Sequence, residues 1–156
     1  MNWRLVVLVA VTLSLPASLL AEDNSFFGTW KQNPAKSRMA RASYTTDRIV
    51  VLAPFGDNGW TRVTLDTDDK GETKEEHYSA RFDGKDYPTL GSDQRVISLK
   101  RVDARSIEAT FKRNGRVTTH SRLELSPDGK TLTQTSSGEQ AGGRTYQNDI
   151  RVYERQ

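Results

Sequence analysis

The chain contains no cysteine and only two histidines among its 156 residues. The missing cysteines exclude disulfides, thiolate metal sites and thiol nucleophiles together. His77 and His120 are too few for a His-based catalytic zinc site unless carboxylates complete it, and both read as surface residues of strands. Catalytic motifs are missing as well. There is no G-x-S-x-G elbow, and Ser121 beside His120 points to the opposite face of its strand. The adjacent Glu75 and Glu76 likewise diverge and cannot act as a carboxylate pair. No phosphate loop is present, so the expectation is a protein without enzymatic chemistry that calls for no cofactor and no metal. An excess of one charge is also lacking: 23 Lys and Arg face 20 Asp and Glu. That mixed surface does not argue for a nucleic-acid partner.

Long apolar runs are absent except at the start. Arg4 supplies a positive region, Leu5 to Leu15 is almost unbroken apolar sequence, and Pro16 then breaks it. Leu19-Leu20-Ala21 ends on a small residue before Glu22 and Asp23. This is the pattern of a secretory signal peptide over residues 1–21, too short to span a bilayer and followed by no stop-transfer pattern. Residues 22–156 then form a single domain. The expected location is the periplasm of a bacterium or the medium outside it, and an exported domain without disulfides relies on packing and strand pairing alone.

What is present is period-2 alternation, punctuated by turn residues about every ten positions. Ile49 to Leu52 is a short apolar run closed by Pro54, and Gly56 to Gly59 turns the chain. Val63 and Leu65 lie opposite Arg62 and Thr64. Tyr78, Ala80 and Phe82 share a face; Ile97 and Leu99 share another; Ile107, Ala109 and Phe111 alternate with Glu108, Thr110 and Lys112. Asn114-Gly115 is the strongest hairpin signal, because type I′ turns need positive φ at both central positions. Val117 to Leu125 and Thr131 to Ser136 follow, and a Gly-rich loop over 137–143 leads to a last strand from Arg144 to Glu154. Asp66 to Gly71 begins like a calcium loop, but Lys70 and His77 occupy ligand positions, so it reads as a solvated turn. The one helical candidate is Pro34 to Arg41, with Asn33 as its cap. Its Lys36, Arg38 and Arg41 make a small basic segment, read chiefly as a solvated turn of helix and secondarily as a weak contact for anionic headgroups.

About nine strands with tight polar turns predict an all-β fold: a single antiparallel up-and-down β-barrel of about 8–10 strands, with at most one short helix. Phe26-Phe27-Gly28-Thr29-Trp30 opens the domain. Gly28 permits a close backbone approach, and Trp30 buries a large apolar surface as a plug at one barrel end.

Gly28-Thr29-Trp30 resembles the G-x-W signature of calycins, the superfamily of lipocalins and fatty-acid-binding proteins. Arg151-Val152-Tyr153-Glu154 resembles the closing R-x-Y-E of the intracellular lipid-binding proteins. Arg122-Leu123-Glu124-Leu125, followed by Asp128-Gly129-Lys130, is similar to their R-E-L…D-G-K stretch. The resemblance implies a calycin-like barrel that holds a small hydrophobic or amphipathic ligand, a fatty acid among the candidates. In that family two arginines and a tyrosine hold the ligand carboxylate, and the matching residues here are Arg122, Arg151 and Tyr153. The chain departs from the family in having only residues 31–45 available for a lid, and in its export signal.

Strand parity leaves the arginines open at this point. Arg151 and Tyr153 share a face opposite Ile150 and Val152, and Arg122 lies opposite Leu123 and Leu125. With aliphatic residues inside, both arginines meet solvent; with a wet polar lumen, they point inward and require an anionic ligand or a partner such as Glu124. A third role is a terminal arginine stacked across Trp30 at the barrel end. Few, regularly alternating aliphatic residues lean toward a packed interior. The second functional reading is accordingly a monomeric protein-interaction barrel, such as a periplasmic protease or lysozyme inhibitor, and cavity size discriminates the two.

Overall fold

A computed structural model describes residues 25–39, 45–91, 95–139 and 143–156. The signal peptide read over 1–21 lies outside the described residues. Ten strands follow one another in the chain: β1 (Gly28–Gln32), β2 (Thr45–Pro54), β3 (Gly59–Asp68), β4 (Thr73–Arg81), β5 (Tyr87–Pro88), β6 (Arg95–Asp103), β7 (Ser106–Arg113), β8 (Arg116–Leu125), β9 (Thr131–Glu139) and β10 (Thr145–Arg155). Every pairing is antiparallel, in the order β4-β3-β2-β1-β10-β9-β8-β7-β6-β5. The first and last strands therefore pair, with Trp30 opposite Arg155 and Gln32 opposite Tyr153.

The two outer strands of that order meet at a seam. His77 and Leu90 exchange backbone hydrogen bonds of 3.0 and 2.8 Å, and the Gly84 amide donates to the Leu99 carbonyl at 2.9 Å. A bridge between Asp83 and Lys100 adds a further contact. The result is the nearly closed up-and-down barrel that the alternation predicts, and closure satisfies strand edges that would otherwise stay open.

Three local expectations are corrected. The helix expected over Pro34 to Arg41 is a single 3-10 turn, Pro34–Lys36, capped as expected by the Asn33 side chain on the Lys36 amide. Ser37 is extended, and Arg38 pairs with Ile150 of β10, so sheet contacts end the turn where the propensity of this short segment would continue it; Arg41 lies outside the described residues. The loop expected from Ser137 begins later, because β9 runs to Glu139. Gly138 is a strand residue set against β8, where a Cβ would fall 2.1 Å from the Thr118 carbonyl oxygen. Glycine there marks close backbone approach, not a turn. The strand Tyr87–Pro88 has no alternation to announce it and owes its place to the seam. Among the described residues no helix is long and apolar enough to cross a membrane.

The interior has two unlike ends. At one, Phe26, Trp30, Leu52, Trp60, Phe82, Leu99, Leu123, Leu125, Leu132 and Tyr153 pack together. Trp30 is 0 % exposed, and its indole Nε1 donates to the Phe26 carbonyl at 2.9 Å. Phe26 and Phe82 meet Trp60 edge-on, at centroid distances of 5.7 and 5.3 Å, an arrangement that adds to the burial of the rings. Arg155 seals this end. Its guanidinium lies 4.3 Å from the Trp30 ring and donates to the carbonyls of Gly129, Phe27 and Ser25 at 2.8, 2.6 and 2.6 Å. The terminal arginine stacked across Trp30 is thus Arg155. A Cβ on Gly28 would fall 2.7 Å from its Nη1, which is why a glycine, at φ +136°, opens the strand here.

Candidate ligand cavity

Register places the polar residues of several strands on the inner surface toward the other end. Leu52, Arg62 and Tyr78 lie side by side across β2, β3 and β4. Leu123, Gln134 and Arg151 do so across β8, β9 and β10. On β3 the inward face is Trp60, Arg62, Thr64 and Asp66, and the aliphatic Val63 and Leu65 share the opposite parity. On β8 the parity is the reverse: Ser121, Leu123 and Leu125 are buried while His120, Arg122 and Glu124 lie outside.

These side chains enclose a cavity of about 280 Å³. Four arginines line it, Arg48, Arg62, Arg95 and Arg151, against two carboxylates, Asp66 and Glu76. Arg48 pairs with Asp66, its Nη2 donating to Oδ2 at 2.6 Å. Arg95 pairs with Glu76 across the seam between β4 and β6. Burial opposes the charge on Arg48, but Tyr153 and Asp66 outweigh it and raise its pKa above the ordinary arginine value.

Arg62 differs from both. It is 6 % exposed, and its hydrogen bonds run to neutral acceptors, Thr64 Oγ1 and Gln134 Oε1, each at 3.2 Å. Gln134 passes the network on, its Nε2 donating to Ser136 Oγ at 3.3 Å and Ser121 Oγ at 3.4 Å. Ser121 and Ser136 share a hydrogen bond of 2.8 Å, and Thr119 and Tyr146 share one of 3.1 Å. The Tyr78 hydroxyl faces Arg62 and the Trp60 indole, yet Tyr78 Oη, Trp60 Nε1 and Tyr153 Oη find no protein partner in hydrogen-bond geometry. Burial raises the Tyr78 pKa, and the neighbouring guanidinium only partly offsets this. A buried cation beside unsatisfied donors is an arrangement that demands an acceptor.

The expected site residues divide. Arg151 is 6 % exposed and lines the cavity. Tyr153 is buried in the packed layer and is not among the lining side chains. Arg122 does not share their interior, which corrects the lumen position read for it. It stands on the outer face, Nε donating to Glu124 Oε1 at 3.0 Å with Glu108 Oε1 3.6 Å from Nη1. The Glu124 hydrogen bond is the main cause of its raised pKa. The reason is packing: Leu123 and Leu125 take the inward positions of β8 beside Ile107 and Leu132. Arg62, Tyr78 and Gln134 were not singled out from the sequence as site residues. Trp60 was the available signal, since a tryptophan sharing parity with Arg62 marks that face as buried.

Other expectations hold at the side-chain level. His77 pairs with Glu75 on the outer face while Glu76 turns to Arg95, so the two glutamates do diverge. Asp68 Oδ1 accepts from the Lys70 and Glu72 amides, each at 2.9 Å, which makes the calcium-like stretch a hairpin turn. Glu154 accepts from Lys36 at 2.8 Å and Asn33 at 3.1 Å, and Lys36 chiefly holds its carboxyl below the usual range.

No protein-family model matches this chain, and no curated protein matches it either. Solved structures do. The wild-type fluorescent protein UnaG, of the fatty-acid-binding-protein family, superimposes with a TM-score of 0.55 at 13 % identity, over 86 % of this chain and 99 % of UnaG. The barrel is calycin-like. An asparagine-to-alanine mutant of UnaG gives 0.54 at 13 % identity, over 84 % of this chain and 96 % of the mutant. The siderocalin Ex-FABP gives 0.42 at 10 %, over 83 % and 69 %, too low a score to carry an argument. At these identities the likeness speaks to the fold alone, and the cavity must be argued from its own residues.

Proposed function

We propose that this chain is a non-enzymatic binding barrel that takes a small ligand by an acidic group into the cavity around Arg62 and Arg151. The observation that carries the reading is the buried Arg62 guanidinium, held by neutral acceptors beside the unsatisfied Tyr78 hydroxyl. Burying a cation without a counter-ion is costly, and a ligand oxyanion offsets that cost while accepting from Tyr78. The cavity favours this reading over an inhibitor barrel, which needs none. The export-signal pattern read over residues 1–21 supports an activity in the periplasm or outside the cell.

Native mass spectrometry of the protein purified without denaturation tests the proposal. A stoichiometric small acidic adduct, released by organic extraction and absent from Arg62→Met, is the expected result. A bare mass, with no uptake of added acids, would overturn it.

A further inference from the structure

The reading above leaves one buried polar atom unused, the indole nitrogen of Trp60. Trp60 precedes Arg62 by two residues on the inward face of β3, and Tyr78 on β4 is the direct cross-strand partner of Arg62 and the diagonal neighbour of Trp60. Trp60 is 0 % exposed and Tyr78 3 %. Neither Trp60 Nε1 nor Tyr78 Oη has a protein hydrogen-bond partner. Tyr153 Oη, also without one, lies beside Arg48. Resting on the reading above, we infer that Trp60 is a binding residue. Its N–H takes one oxygen of a ligand carboxylate whose other oxygen lies on Arg62 and Tyr78, so the ligand enters carboxylate first.

Three observations lead there. The first is the chemistry of the indole. Its N–H donates and cannot accept, and the Tyr78 hydroxyl that faces it does not stand in hydrogen-bond geometry. Trp30 shows the ordinary arrangement: equally buried, it donates to the Phe26 carbonyl at 2.9 Å. A buried tryptophan without such an acceptor is an exception that calls for one.

The second is position. Arg62 and Tyr78 line the cavity of about 280 Å³, whereas Trp60 does not. The indole N–H is therefore reached only past those two side chains, at the floor, by a small leading atom. Direct and diagonal cross-strand neighbours lie within reach of one another's long side chains. A carboxylate has two oxygens to share among three such donors, and charged acceptors make the stronger hydrogen bonds.

The third is what surrounds the indole. Phe26 and Phe82 meet the Trp60 ring edge-on, and Leu52, the other cross-strand neighbour of Arg62, is buried. None of these side chains donates a hydrogen bond. A tetrahedral phosphoryl group pushed as deep would leave a charged oxygen against them, a desolvation cost that a two-oxygen head avoids. The head group is thus a carboxylate and not a phosphoryl group.

Proton–nitrogen correlation NMR of the purified protein reads the indole N–H directly. The Trp60 signal is assigned through its edge contact with Phe82, and Trp30, already bonded to Phe26, is the internal control. Propionate, benzoate and octanoate are titrated in turn. At least one should move the Trp60 N–H proton downfield to saturation while Trp30 stays in place, and inorganic phosphate and chloride should produce no such shift. In calorimetry, Trp60→Phe and Tyr78→Phe should each weaken the best of the three acids about tenfold or more, with melting curves showing that each variant is folded. An acid that saturates the protein while the Trp60 signal stays still would overturn the inference and leave the binding barrel standing. A shift with phosphate or chloride as large as with the acids would do the same. Saturation by none of the three acids would remove both.

Discussion

The two ends of this barrel are built from the same strands by the same alternation, yet they obey opposite rules. At the closed end the inward positions are aromatic and aliphatic, and Arg155 has Trp30 beneath it and three backbone carbonyls around it. At the other end the inward positions are chiefly arginines, two carboxylates, hydroxyls and an amide, and Arg62 has only neutral acceptors. A buried arginine that serves structure is fully engaged by fixed acceptors. One that serves binding keeps donor capacity in reserve. On the proposed function, the difference gives stability to one end and ligand recognition to the other.

Substitutions can break or sharpen that contrast. The largest effect should come from Trp30→Ala, which empties the plug and should cost about 3–5 kcal/mol in denaturant unfolding; a loss under about 1 kcal/mol would mean that Trp30 does not hold the closed end. Arg155→Met should follow, at about 2–4 kcal/mol, because it frees the carbonyls of Ser25, Phe27 and Gly129 and the cation–π contact together. Ligand affinity should survive in whatever fraction stays folded. Arg62→Met should do the opposite, leaving stability equal or higher while removing ligand uptake, since replacing an uncompensated buried cation by an apolar side chain relieves its desolvation. A marked fall in stability would instead make Arg62 a structural residue.

A smaller effect is a matter of pH. Burial holds the Tyr78 pKa above its ordinary 10.0 in the folded chain. The unfolded chain therefore loses this proton first as pH rises. The contribution to stability is fully present below about pH 10 and is lost as pH climbs through the folded value. Ultraviolet titration should show a late tyrosinate component that Tyr78→Phe removes, and a tyrosine spectrum that ionises entirely near pH 10 would place Tyr78 in solvent. The smallest effect belongs to Arg122→Ala, which should leave ligand affinity unchanged and melting nearly so, because its ion pairs are on the surface. A tenfold loss of affinity would return Arg122 to the site.

Much of this was legible in the residues. Turn chemistry such as Asn114-Gly115, where both residues take positive φ at 51° and 74°, punctuates the strands, and alternation between the turns makes an all-β barrel the natural reading. Gly28-Thr29-Trp30 identified the plug because a tryptophan next to a required glycine has few other uses. The site was only half legible. Parity tells which side chains share a face, but not which face is inside. On β8 the aliphatic face is inside, on β3 the polar one, and the choice is made by neighbouring strands that pack or leave a cavity. Arg122, named through the family resemblance, therefore lies outside, and Arg62, for which no side was read, lies inside. The missed strand Tyr87–Pro88 is similar, since two residues held by a seam carry no period.

The most direct test is a crystal structure of the protein purified without denaturation. The account predicts density for a compact acidic group within hydrogen-bond distance of Arg62 and Tyr78, with the closed end packed as described. Ordered water alone around Arg62, or an apolar chain threaded past Trp60 toward Trp30, would contradict it.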